Sequence, residues 1–155
     1  MSDFSLPRAA VPARLLLTQG ISRPGQVYVM ERVPLYDGPE TVLDMLNRPE
    51  RFFAFRPAGE DVLLISKAHT ISLSLDRQAP IADPARLSAA RLLGVEIVLA
   101  GGSTLGGWAS VELPAQHARL LDYLNASPHP FFSVWTHAVT HYVNRAHVLY
   151  ARPLD

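Results

Sequence analysis

The chain has 155 residues, 48% hydrophobic and 18% charged, which is enough apolar material for a core and argues against a disordered chain. Fourteen basic residues balance fourteen acidic ones, so the global positive surplus that nonspecific phosphate-backbone binding draws on is missing. There is no cysteine, which excludes disulfide scaffolds, thiolate metal sites and cysteine nucleophiles. Met1 to Ala10 lacks a basic start followed by an apolar stretch, and no run approaches ~18 apolar residues. The expectation is a soluble, cytoplasmic protein with no membrane span.

In chain order, Leu15 to Thr18 and Val27 to Val33 read as strands, with Gly20 to Gly25 as the turn between them. A short helix follows. Thr41 can cap it, and Asp44, three residues on, completes a capping-box arrangement. Asn47 stands where a helix end often takes a left-handed residue. Phe52 to Phe55 and Val62 to Ile65 read as strands. In the last strand of this half, His69, Ile71, Leu73 and Leu75 alternate with Thr70, Ser72 and Ser74, so one apolar face is expected. Residues 77–93 read as a linker, with a short helix expected over Pro84 to Arg91 behind Asp83. Val95, Ile97 and Leu99 then open a second strand series. Gly101-Gly102-Ser103 breaks it and Trp108 to Leu113 runs back.

The second series repeats the first. Val42 to Asn47 (VLDMLN) matches Leu120 to Asn125 (LLDYLN). Phe52 to Phe55 matches Phe131 to Val134, and Ile65 to His69 (ISKAH) matches Val143 to His147 (VNRAH). The blocks keep their order at offsets of 78 or 79 residues. Upstream, Leu17, Gly20 and Gly25 face Leu99, Gly102 and Gly107. Ordered blocks at one spacing indicate an internal duplication. The fold class expected is mainly β with short helices (α+β): a first module over 1–76 and a second over 94–155. Each would be a five-strand barrel or meander, the two related by a pseudo-twofold axis.

The strand order resembles the Sm-like small barrels. Val95 to Gly102 followed by Trp108 resembles that family's opening pair, and Val143 to Val148 and Ile65 to Ile71 resemble its closing pair. The family lacks the Leu-Asp-Xaa-Leu-Asn turn at Leu43 to Asn47 and Leu121 to Asn125. That turn, with the Phe-Phe strand and the Ser-Lys or Asn-Arg strand end, is similar to small bacterial domains of unassigned function. The Sm-like resemblance implies RNA or nucleotide contact at Lys67, His69, Arg145 and His147.

Read from the residues alone, His69 and His147 belong on the apolar face at the start of each final strand, and Lys67 and Arg145 are solvated rim charges. Asp44 and Asp122 sit beside helix starts that they can stabilise. His117, His129, His137, His141 and His147 make the second half histidine-rich. His137 and His141 have metal-ligand spacing for a helix. The β-formers around them argue for a strand, where they would lie ~13 Å apart at a rise of ~3.3 Å per residue, so no metal site is expected. The Gly101 to Gly107 loop lacks the Lys-Ser/Thr ending of a phosphate loop. Arg48, Arg51 and Arg56 surround Phe52, Phe53 and Phe55, a pattern that can bind single strands or nucleotides. No catalytic set and no cofactor motif emerges. The leading expectation is a non-catalytic module that binds a protein partner or itself as a homodimer. RNA or nucleotide binding and a metal-dependent enzyme built on the second-half histidines are the alternatives.

Overall fold

The structure, a computed structural model, describes residues 8–30, 40–76, 91–111, 120–126 and 128–154. Of the helix expected over Pro84 to Arg91, all but Arg91 lies outside these residues, as do the last residues of two expected strands, 31–33 and 112–113. His117 is outside them too.

The described residues form ten strands and two short α-helices. In the first half these are β1 (Arg8–Leu17), β2 (Ser22–Met30), α1 (Val42–Asn47), β3 (Phe52–Pro57), β4 (Leu63–Ser66) and β5 (Thr70–Asp76). In the second they are β6 (Arg91–Leu99), β7 (Thr104–Val111), α2 (Leu120–Ala126), β8 (Phe131–Trp135), β9 (Val139–Asn144) and β10 (Val148–Leu154). A 3-10 turn over Lys67–His69 leads into β5, and another over Arg145–His147 leads into β10. All ten strands join one open sheet in the order β10-β6-β7-β8-β9-β5-β1-β2-β3-β4, and each pairing is antiparallel.

Within each half the order is the same: fifth strand, first, second, third, fourth. Registers agree as well. Val27 faces Phe55 where Ala109 faces Val134, and Phe53 faces Ile65 where Phe132 faces Val143. The fifth strand bulges at one place in both halves, skipping Ile71 against Leu16 and Leu17, and Leu149 against Val98 and Leu99. The glycines explain part of this agreement. Gly20 and Gly102 take positive φ, 75° and 93°, which a side chain rarely tolerates. A β-carbon on Gly25 would sit 2.2 Å from the Arg56 carbonyl oxygen, and one on Gly107 would sit 2.2 Å from that of Trp135. Only glycine lets the second strand approach the third so closely.

α1 begins with the capping box its sequence suggests. The Thr41 hydroxyl accepts from Asp44 N, and the Asp44 carboxylate accepts from Thr41 N. Its other end differs from expectation. Asn47 does not adopt a left-handed conformation, and the chain leaves through Arg48 in an extended one. Asn47 instead spends its amide across the sheet: Nδ2 donates to the Phe131 carbonyl and Oδ1 accepts from Phe131 N.

Two apolar clusters lie one on each side of the β5–β9 junction. The first gathers Leu15, Val27, Met45, Leu46 and Phe55, and it takes in Phe131 from the second half. The second gathers Val95, Ile97, Phe132, Val134 and Val143, and it takes in Ile71 from the first. This exchange corrects two expectations. β5 is not half-buried: Thr70, Ile71, Ser72 and Leu73 are all buried, with β1 and β9 paired along its edges, Leu73 in the first cluster and Ile71 in the second. Nor are the halves related by a twofold axis. A twofold would pair like strands at the junction, or form two equivalent junctions. Here the fifth strand of one half meets the fourth of the other, and the counterparts β10 and β4 are the two end strands of the sheet, not paired with each other.

Candidate functional site

Lys67 and Arg145 occupy matching turns and do matching work. Lys67 is buried, and its Nζ donates to the carbonyls of Met45 (2.8 Å) and Arg48 (3.0 Å) at the end of α1. Arg145 donates from Nε to the His129 carbonyl (2.9 Å) and from one terminal nitrogen to Tyr123 (3.2 Å) and Leu124 (3.3 Å) in α2. Its guanidinium lies 4.9 Å from the ring centres of both Tyr123 and Phe132. A cation on orphan carbonyls at a helix C-terminus is stabilising. Lys67 is therefore not a solvated rim charge, and burial, with Arg48 nearby, holds its ammonium pKa below the usual lysine value.

The two histidines of the same turns separate. His147 Nε2 donates to the Ala68 carbonyl at 2.6 Å, across the junction between the halves. His69, its counterpart, is exposed. The structure thus places His147 against the Lys67–His69 turn but directs Lys67 and Arg145 into their own helices. Two further second-half histidines, His141 and His137, are engaged separately. His141, on β9, shares a 2.7 Å hydrogen bond between Nδ1 and Ser74 Oγ, and burial lowers its pKa from 6.5. His137, just before β9, meets Trp108 edge-on with ring centres 5.8 Å apart. Among the described residues no three His, Asp or Glu side chains cluster as metal ligands do. The arginines around Phe53 and Phe55 are also divided. Arg48 pairs with the buried Glu40 carboxylate at 2.9 Å, and Arg56 donates to the Tyr28 hydroxyl at 3.1 Å. A shallow groove beside the β3–β4 turn is lined by Arg56, Gly59, Glu60, Asp61 and Leu63.

What the sequence reading missed lies along the sheet's outer edges. At the β5–β9 junction, Ser72 faces Val143, Leu73 faces Tyr142 and Ser74 faces His141. Asn144 Nδ2 bridges the junction to the carbonyls of Lys67 (3.2 Å) and Thr70 (3.0 Å). On the outer strands β3, β4 and β10, counterparts of residues buried around this junction are left in water. Phe131 is 2% exposed and Phe52 57%; Ile71 is 2% exposed and Leu149 61%. Tyr142 packs on the first cluster, whereas Leu64 is 74% exposed. The signal was present in the sequence, because each of these pairs falls in or beside a repeated block. Pairing partners could not be read from one strand's pattern.

Searches against family models, curated proteins and solved structures found nothing that matches this chain. Among the described residues no helix is long and apolar enough to cross a membrane.

Proposed function

We propose that this protein is a non-catalytic module that joins protein chains, copies of itself included, through the edges of its sheet. One observation carries this reading: among the described residues, both end strands of the sheet have a partner strand on one side only and carry large exposed apolar side chains, Leu63 and Leu64 on β4 and Leu149, Tyr150 and Leu154 on β10. An unpaired edge is a template for another strand, and natural proteins usually blunt it with charge, proline or a covering element. Among the described residues of the two end strands, Arg152 and Pro153 of β10 are the charge and the proline that interrupt it. The halves are two copies of one module of Sm-like strand order. That reading is supported by the shared order, the shared bulge and the matched glycines, although the ladder ends at β4 and β10 instead of closing into barrels. Residues common to both copies, Lys67 and Arg145 among them, serve the module's architecture.

Light scattering on the purified protein over a wide concentration range tests this. The expected result is a mass above that of the 17.0 kDa chain. A 17.0 kDa species at every concentration, with no protein partner retained by the immobilised chain, would end the reading.

A further inference from the structure

The occupant of the open edges can be specified, on the footing of the edge-binding reading above. We propose that β4 of one copy pairs antiparallel with β10 of the next, so that the junction inside each chain is rebuilt between chains, head to tail.

The internal junction is the template. It is formed by a fourth strand (β9) and a fifth strand (β5), and the strands left open are the other fourth (β4) and the other fifth (β10). Transferring its register by the repeat sets Ile65 against Tyr150, Leu64 against Ala151 and Leu63 against Arg152. Each side chain that closes the internal junction then has a counterpart exposed for the external one. Phe131 leaves its own half to fill the first cluster, and Phe52 is free to enter the second cluster of a neighbour. Ile71 fills the second cluster from across the junction, and Leu149, the residue at the matching bulge, is free to enter a neighbour's first cluster. Asn47 grips the Phe131 backbone, and Asn125 stands exposed at the matching helix end. His147 donates to the Ala68 carbonyl, and His69 is exposed at the matching turn.

Some positions depart from the template and set its limits. Ser66 replaces Asn144 and is too short to span to two carbonyls. Pro153 stands where β5 has Leu75, and without an N–H it cannot donate, which ends the external ladder near Arg152. The external junction is therefore shorter than the internal one. A head-to-tail contact leaves one β4 and one β10 open at the ends of any chain of copies. It closes into a ring if the rotation per copy allows and otherwise grows.

The chain has no cysteine, so crosslinks can be placed at will. Leu64→Cys and Ala151→Cys put one thiol on each edge, at positions that face each other in the transferred register. The expected result is that the double variant oxidises into a ladder of covalent multimers, and that mixing the two single variants gives a covalent dimer containing one of each. Circular dichroism checks that each variant is folded. If Leu64→Cys alone links to itself, the edges pair like with like and the proposal is overturned. It is also overturned, with the edge-binding reading left standing, if the protein is larger than 17.0 kDa but neither mixture crosslinks. A folded 17.0 kDa protein that does not crosslink removes both.

Discussion

The strands around the β5–β9 junction and those at the two ends of the sheet carry corresponding residues in opposite surroundings. At the junction Phe131 and Ile71 are 2% exposed, each inside the core of the other half. At the edges Phe52, Leu149 and Leu64 face water. The difference lies in pairing and not in composition. β5 is covered on both faces, with Leu73 in the first cluster and Ile71 in the second, whereas β4 and β10, at the ends of the sheet, have a partner strand on one side only. Burying a large apolar side chain contributes about 1.5–3 kcal/mol. Three such side chains left in water are a reservoir that a second copy can draw on.

The largest effect expected separates the two phenylalanines. Phe131→Ala should cost the isolated chain about 3–5 kcal/mol in urea unfolding, because it empties a buried site. Phe52→Ala, measured at high dilution, should stay within about 0.5 kcal/mol of the parent. Equal losses would break the comparison. Gly25→Ala and Gly107→Ala should each cost about 1–3 kcal/mol, since each β-carbon meets a carbonyl oxygen at 2.2 Å. Losses of similar size in both would sharpen the equivalence of the halves. Asn47→Ala should lower stability by about 1 kcal/mol or somewhat more, by removing two hydrogen bonds to the Phe131 backbone. Asn125→Ala should be silent in the dilute chain.

The smallest effect is a pH dependence at the junction. Burial holds the folded pKa of His141 below 6.5, its unfolded value. Between that lowered value and 6.5 the unfolded state binds more protons, so stability should fall as pH drops through this window and level off below it. The slope cannot exceed about 1.4 kcal/mol per pH unit from one group. His141→Leu, which installs the residue found at Leu63, should flatten this segment of the urea midpoint against pH.

Much of the architecture was legible because each half obeys local rules. The capping box at Thr41 and Asp44 and the break at Gly101 to Ser103 are written within a few residues of one another, whereas the turn expected over Gly20 to Gly25 is shorter, because β2 begins at Ser22 and includes Gly25. The repeated blocks then marked where the second half would follow the first. What lay beyond reach depended on contacts between strands distant in the chain. The alternation in β5 suggests one wet face, yet Thr70 and Ser72 are buried where Ser72 faces Val143 of β9 and Asn144 donates to the Thr70 carbonyl. Lys67 and Arg145 read as surface charges because the helix carbonyls they cap lie about 20 residues upstream. Asn47 reads as a helix-end residue because its partner is 84 positions away. The twofold expectation failed similarly: the repeated blocks do not say which strand edges meet.

The most direct test compares the light-scattering mass of the parent protein with that of Phe52→Asp, which places a charge on the exposed side chain that should enter the neighbouring copy. The parent is expected at a discrete multiple of 17.0 kDa or as a growing polymer, and Phe52→Asp at 17.0 kDa with an unchanged circular dichroism spectrum. The same mass for both proteins would contradict head-to-tail pairing.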